Sequence, residues 1–178
     1  METEEQTRGK SDGETQLLNS LFDAMVKFDA ADSKRIQHFV KVHAFARRIA
    51  QGEGADAETL FITEAAAYVH DIGIKPAERK YGSCSGKLQE QEGPAPARAM
   101  LEDLGFQPHV IDRVCYLVGH HHTYSNIDGL DYQALVEADF LVNMYEDGVS
   151  QSAVQSALRS IFRTETGTRL CKTMFGVA

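Results

Sequence analysis

Apolar positions in this chain recur at three and four residues almost throughout. That is the spacing of amphipathic helices rather than the alternation of strands. Leu17, Leu18, Leu21, Phe22, Met25 and Phe28 form the first such stripe. The residues before it, 1 to about 15, are polar and Gly-containing and are expected as a mobile tail. Asp32 or Ser33 caps a second helix, predicted to run to about residue 51, where Gly52 and Gly54 stop it. A third is predicted over about 57–71, ended by Gly73 and Pro76. Residues 75–93 carry Gly82, Gly86 and Gly93 together with Ser83 and Ser85. They predict a long loop, of the kind that usually serves function. Helices are then predicted over 94–104, from Pro108 to the His cluster near 122, and over 130–147. One or two closing helices follow over 151–162 and 165–175. The expectation is an all-α, single compact bundle of about seven or eight helices.

Composition narrows the class. A chain of 178 residues fits one domain, here 16–178 behind the tail. Lys and Arg total 18 against 26 Asp and Glu, a net charge of -8. That excludes a general binder of large nucleic acids, which needs a basic face. It leaves room for a phosphorylated small molecule if a metal supplies the positive charge locally. Cys84, Cys115 and Cys171 show no CxxC spacing, which points to free thiols in a reducing compartment. No run of 18 uncharged apolar residues predicts a membrane span, and METEEQTRGKSDGETQ lacks the apolar core of a signal peptide. A cytoplasmic protein is expected.

Four places carry candidate chemistry. His38 shares a helical stripe with Val42, Phe45 and Ile49, so its imidazole is aimed at the core. His43 lies five residues on, about 140° around the helix, and cannot share that target. His70-Asp71 ends the apolar run AAAYV, and a buried imidazole and carboxylate each need a partner. Asp139 sits among Leu135, Val136, Phe140 and Val142 and needs a cation or several donors. His120, His121 and His122 are consecutive, so all three cannot converge on one atom. One or two can be ligands while the others frame a pocket mouth. Each feature also has an ordinary explanation: a satisfied core His, a solvated Asp at a helix end, a salt bridge to Arg, a solvated helix terminus.

Taken together, His38, His70-Asp71 and Asp139 in an all-α chain resemble the signature of the HD-domain superfamily of metal-dependent phosphohydrolases. The contexts RIQHFVKVHAFARRIA, AAAYVHDIG, VGHHHTY and LVEADFLVN carry the resemblance, which covers about residues 33–147, with closing helices over 150–175. It implies that His38, His70, Asp71 and Asp139 hold one divalent metal, with Mn, Fe, Zn, Ni, Co and Mg as candidates. It also implies a second metal on Asp71 and His121, with His122 the weaker candidate. A further His is expected about four residues before Gly93, where this chain has Gln89. Glu90 or Glu92 can stand in as an oxygen ligand, or the second metal is held weakly. The HDIG run lacks the Gly-Tyr-Pro signature of the cyclic-di-GMP branch.

The implied chemistry is hydrolysis of a phosphoester of a nucleotide or related small phosphorylated metabolite by a metal-activated water. Asp71 serves as ligand and proton acceptor, and His121 or His122 holds the second metal or protonates the leaving group. Lys75, Arg79 and Lys80 are expected to hold substrate phosphate. Two other functions stay open: a di-iron oxygenase of the same fold, and a non-catalytic nucleotide-binding module. Arg159, Arg163 and Arg169 among Leu158, Ile161, Phe162 and Leu170 read as closing helices, with a homodimer open.

Overall fold

The computed structural model describes the backbone from residue 4 to residue 178 and the side chains from residue 12 onward. Ten helices occur among the described residues, and no strand. They are α1 (Glu4–Phe28), α2 (Ser33–Gly52), α3 (Ala57–Val69), α4 (Ile74–Tyr81) and α5 (Gly86–Glu92). The remainder are α6 (Pro94–Asp103), α7 (Pro108–Val118), α8 (Leu130–Glu146), α9 (Gln151–Ser160) and α10 (Glu165–Phe175).

The centre of the bundle is α2, α3 and α8. On α2 the buried face is His38, Phe39, Val42, Ala46, Ile49 and Ala50. Ala65, Ala66 and Ala67 of α3 have no exposed surface, so the C-terminal half of this helix is enclosed on every side. Their small side chains let α2, α7 and α8 approach α3 closely. From α8 come Leu135, Ala138, Leu141 and Val142, with Asp139 embedded among them. Burying one Leu or Ile side chain stabilises by about 1.5–3 kcal/mol, so this apolar frame can carry a few costly polar groups.

Helix starts follow local chemistry. Asp32 caps α2 by accepting from the Arg35 amide at 3.1 Å, and Asp56 caps α3 by accepting from Thr59 at 2.7 Å. Helices α9 and α10 occupy the expected closing positions. The Arg163 guanidinium donates to the carbonyls of Ser160 (2.7 Å) and Phe162 (2.8 Å), so it serves the end of α9.

The structure corrects three expectations. Residues 75–93 are not a loop but α4 and α5, which raises the helix count to ten. The Gly and Ser there mark breaks rather than absence of helix: Gly82 ends α4 with φ 65°, and Pro76 sits in the first turn, where no amide is needed. Helix α1 begins at Glu4, so helix covers residues 4–15 in place of a tail, while residues 1–3 lie outside the described residues. Helix α7 stops at Val118, capped by Gly119, which puts all three consecutive His in the turn beyond it. No helix among the described residues is long and apolar enough to cross a membrane.

Candidate metal centre

Three imidazoles are fixed through one ring nitrogen and presented through the other. His70 Nδ1 lies 2.9 Å from the Ala67 carbonyl, and His121 Nδ1 lies 2.9 Å from the Val118 carbonyl. Both His stand just past a helix end, where the carbonyl three residues back has lost its helical partner. A carbonyl only accepts, so each Nδ1 carries a proton and each Nε2 is the nitrogen turned toward the cluster. His38 Nδ1 is held by Glu146 Oε2 at 3.0 Å, and Glu146 is braced by Lys41 Nζ at 2.6 Å. An anchored Nδ1 and a free Nε2 is the usual state of a metal-binding His.

The free nitrogens converge on two carboxylates. His38 Nε2 is 3.3 Å from His70 Nε2, 3.2 Å from Asp139 Oδ1 and 3.5 Å from Asp71 Oδ2. His70 Nε2 is 3.5 Å from Asp71 Oδ2 and 3.6 Å from Asp139 Oδ1. Asn143 steadies Asp139 by donating to Oδ1 at 2.8 Å. Asp71 faces two ways: its other oxygen lies 3.5 Å from His121 Nε2. His121 is buried, and its Nε2 makes no hydrogen bond among the described residues. His38, His70 and Asp71 thus form one group able to hold a metal ion, and Asp71, His121 and His122 form a second.

The electrostatics call for added positive charge. Burial works against a charged imidazole at His38 and His70, yet the Asp139 and Asp71 carboxylates outweigh it. His38 is raised and His70 is pushed up to about 9. Burial also opposes charge on the acids. His70 and His121 hold Asp71 below its ordinary range, and His38 and His70 do the same for Asp139. Both acids, Asp139 buried and Asp71 partly so, stay ionised and favour a cation beside them. His122 goes the other way: burial, then His121, push it down to about 4. It is a neutral imidazole at pH 7, fit to be a ligand and unsuited to protonate a leaving group.

A cavity of about 330 Å³ opens on this cluster. His38, Asp71, Asp139, Gln89 and His122 form its floor, with Lys34 and Arg35 at one side. The basic residues expected to hold phosphate are elsewhere. Lys75 donates to the Phe28 carbonyl at 2.6 Å and pairs with Asp29 at 3.3 Å, which ties α4 to the end of α1. Lys80 pairs with Glu92 at 3.0 Å, and Arg79 is exposed away from the cavity lining. Both Glu side chains offered as stand-in ligands are engaged with other partners. Glu90 Oε1 accepts from the His122 amide at 3.0 Å and Thr123 Oγ1 at 2.9 Å, while Glu92 is spent on Lys80, Tyr81 and Gln91. His120 stacks on Tyr116 with centroids 4.2 Å apart and does not line the cavity.

Sequence reasoning missed Lys34, Arg35, Asn143 and Glu146. The signal was helical spacing: Lys34 and Arg35 precede His38 by four and three residues, and Asn143 and Glu146 follow Asp139 by four and seven.

The model of the HD domain family matches residues 35–155. A crystal structure of a predicted HD superfamily hydrolase from an uncultured Thermotogales bacterium is similar, with a TM-score of 0.61 and 25% sequence identity. The match covers 91% of this chain and 84% of that one. No curated protein matches the chain.

Proposed function

This chain belongs to the HD domain family, and we propose that it is a metal-dependent phosphohydrolase acting on a small phosphorylated metabolite, a nucleotide or its kin. The observation that carries the reading is the convergence of His38, His70, Asp71 and Asp139 beneath an open cavity. Imidazole nitrogen with carboxylate oxygen suits Zn, Mn, Fe, Ni or Co, and less well Mg. His38, His70, Asp71 and Asp139 would hold the ion. A divalent ion there supplies Lewis acidity: it acidifies water toward neutral pH and offsets charge on a phosphoryl oxygen.

The chain's own residues do the rest. Glu146, Ala67 and Val118 fix the three rings, so no reorientation is needed when substrate arrives. Asp71 is a quarter exposed at the cavity floor and accepts the proton of the attacking water at a carboxylate oxygen. Lys34 and Arg35 lie on the same face of α2 as His38 and neutralise the phosphate. They take over the role expected of Lys75, Arg79 and Lys80. Arg35 is held by Glu78 at 2.6 Å, which aims its guanidinium. The cavity falls within the usual range for small-ligand sites, roughly 300–1,000 Å³.

The test is a phosphate-release screen over nucleoside mono-, di- and triphosphates and sugar phosphates with Mn or Co added, using D71A as control. The expected result is release from at least one compound that D71A abolishes and K34A weakens mainly through KM. Release that D71A leaves unchanged contradicts the reading. Iron-loaded protein that consumes oxygen and releases no phosphate replaces it with the oxygenase.

A further inference from the structure

We propose that the side-chain oxygen of Gln89 is a ligand of a second divalent-cation site, formed with Asp71, His121 and His122. The proposal rests on the metal reading of the first cluster and adds a donor of a different chemical kind.

The amide has a set orientation. Gln89 Nε2 donates to the Cys84 carbonyl at 2.8 Å, so Oε1 is the atom turned inward. It lies 3.1 Å from His122 Nε2, and both residues line the cavity with Asp71. An oxygen and an imidazole nitrogen at that separation either share a proton or flank one cation. Two observations favour the cation. Two donors each about 2.1 Å from one ion stand about 3.0–3.4 Å apart in octahedral or tetrahedral arrangement. The contacts at the first cluster show nearly the same spacing, such as 3.2 Å for His38 with Asp139 and 3.3 Å for His38 with His70. The neighbouring His121 Nε2 is buried with no hydrogen bond, so a shared proton between Gln89 and His122 leaves it unserved. One cation serves all four groups.

The backbone is built to bring α5 this close. A Cβ at Gly73 would collide with the Gln89 carbonyl oxygen and lie 2.8 Å from the Gly93 amide. A Cβ at Gly86 would lie 2.7 Å from the His122 ring. A Cβ at Gly93 would lie 2.6 Å from Val118 Cγ1 and 2.9 Å from the Gln89 carbonyl oxygen, so three glycines seat α5 against its neighbours.

An amide oxygen is a neutral, hard donor. The second site therefore binds more weakly than the first and favours Mn or Mg over Zn relative to a site closed by a third imidazole.

The experiment is Mn titration of the metal-stripped full chain, with free Mn followed by electron paramagnetic resonance. The unmodified chain should bind two Mn in two classes, the weaker by about tenfold or more. Q89E, which keeps the oxygen and adds charge, should tighten the weaker class by about tenfold. Q89M, of similar size without the oxygen, should leave one Mn per chain, and its retained tight class shows that the variant is folded. One Mn in the unmodified chain, two in Q89M, or no change in Q89E overturns the proposal while leaving the first site standing. Absence of both classes overturns the metal reading itself.

Discussion

His38 and His43 leave the same helix five residues apart and end in two polar clusters, the first buried and the second partly buried, that are balanced differently. His43 Nε2 is 3.0 Å from Glu64 Oε1, its ring stacks on Tyr68 at 4.1 Å and 7°, and Arg47 approaches the same carboxylate at 3.6 Å. One acid is shared between an imidazole and a guanidinium, so that cluster is closed. His38 meets Asp71, Asp139 and Glu146 together with a second imidazole. Lys41 covers Glu146, yet no Lys or Arg among the described residues pairs with Asp71 or Asp139. Burial of a His is thus no mark of function by itself. The mark is a pair of fixed carboxylates that no Lys or Arg among the described residues neutralises, which leaves the task to protons on the imidazoles or to a metal ion.

Substitution can break the contrast. D71A should lower phosphate release by at least about 10³-fold, since the Lewis acid is worth several kcal/mol in the transition state. H43A should leave kcat within about threefold, as a change that reaches stability without touching the site. Steady-state kinetics on one compound from the phosphate screen checks both. Equal losses in the two variants erase the distinction.

The next effect concerns the brace. Glu146 holds the His38 ring, and losing such an outer partner typically costs about 10–100-fold in metal affinity. E146A should show that loss in a Mn titration, and E146Q, which still accepts from Nδ1, should recover part of it. Loss of affinity to the same degree in both variants would mean that charge, rather than ring orientation, is what Glu146 supplies.

Stability gives the smallest effects. H43A strands Glu64 without its imidazole and should cost about 1–3 kcal/mol, or roughly 2–4 °C of Tm per kcal/mol for a chain this size. Free metal at about 100 times its Kd should add about 2.7 kcal/mol. Thermal melts with Mn and with chelator should therefore differ in H43A as much as in the unmodified chain, and not differ in H70A. A metal shift that vanishes in H43A would show that the two clusters are coupled.

Much of this centre is legible in the sequence. The stripe through His38, Val42 and Ile49 gave direction, and the 140° offset separated His43 from it. The apolar neighbours of His70 and Asp139 showed that both are enclosed. What was not legible depended on tertiary approach. Lys75 reads as a free cation near the site, yet the turn into α4 carries it to the end of α1. Glu90 reads as a spare ligand, yet the break at Gly119 turns the His122 amide toward it. Gly73 reads as a helix stop and Gly86 and Gly93 as loop residues, and only their packing shows that they seat one helix against another. Lys34 and Arg35 could have been found by the same helical spacing that found His38.

The most direct measurement is elemental analysis of the unmodified chain, H70A and H43A, each purified without chelator. The account predicts a first-row divalent metal at one or more per chain in the unmodified protein and in H43A, and its loss in H70A. No metal in the unmodified protein, or equal metal in H70A and H43A, would contradict it.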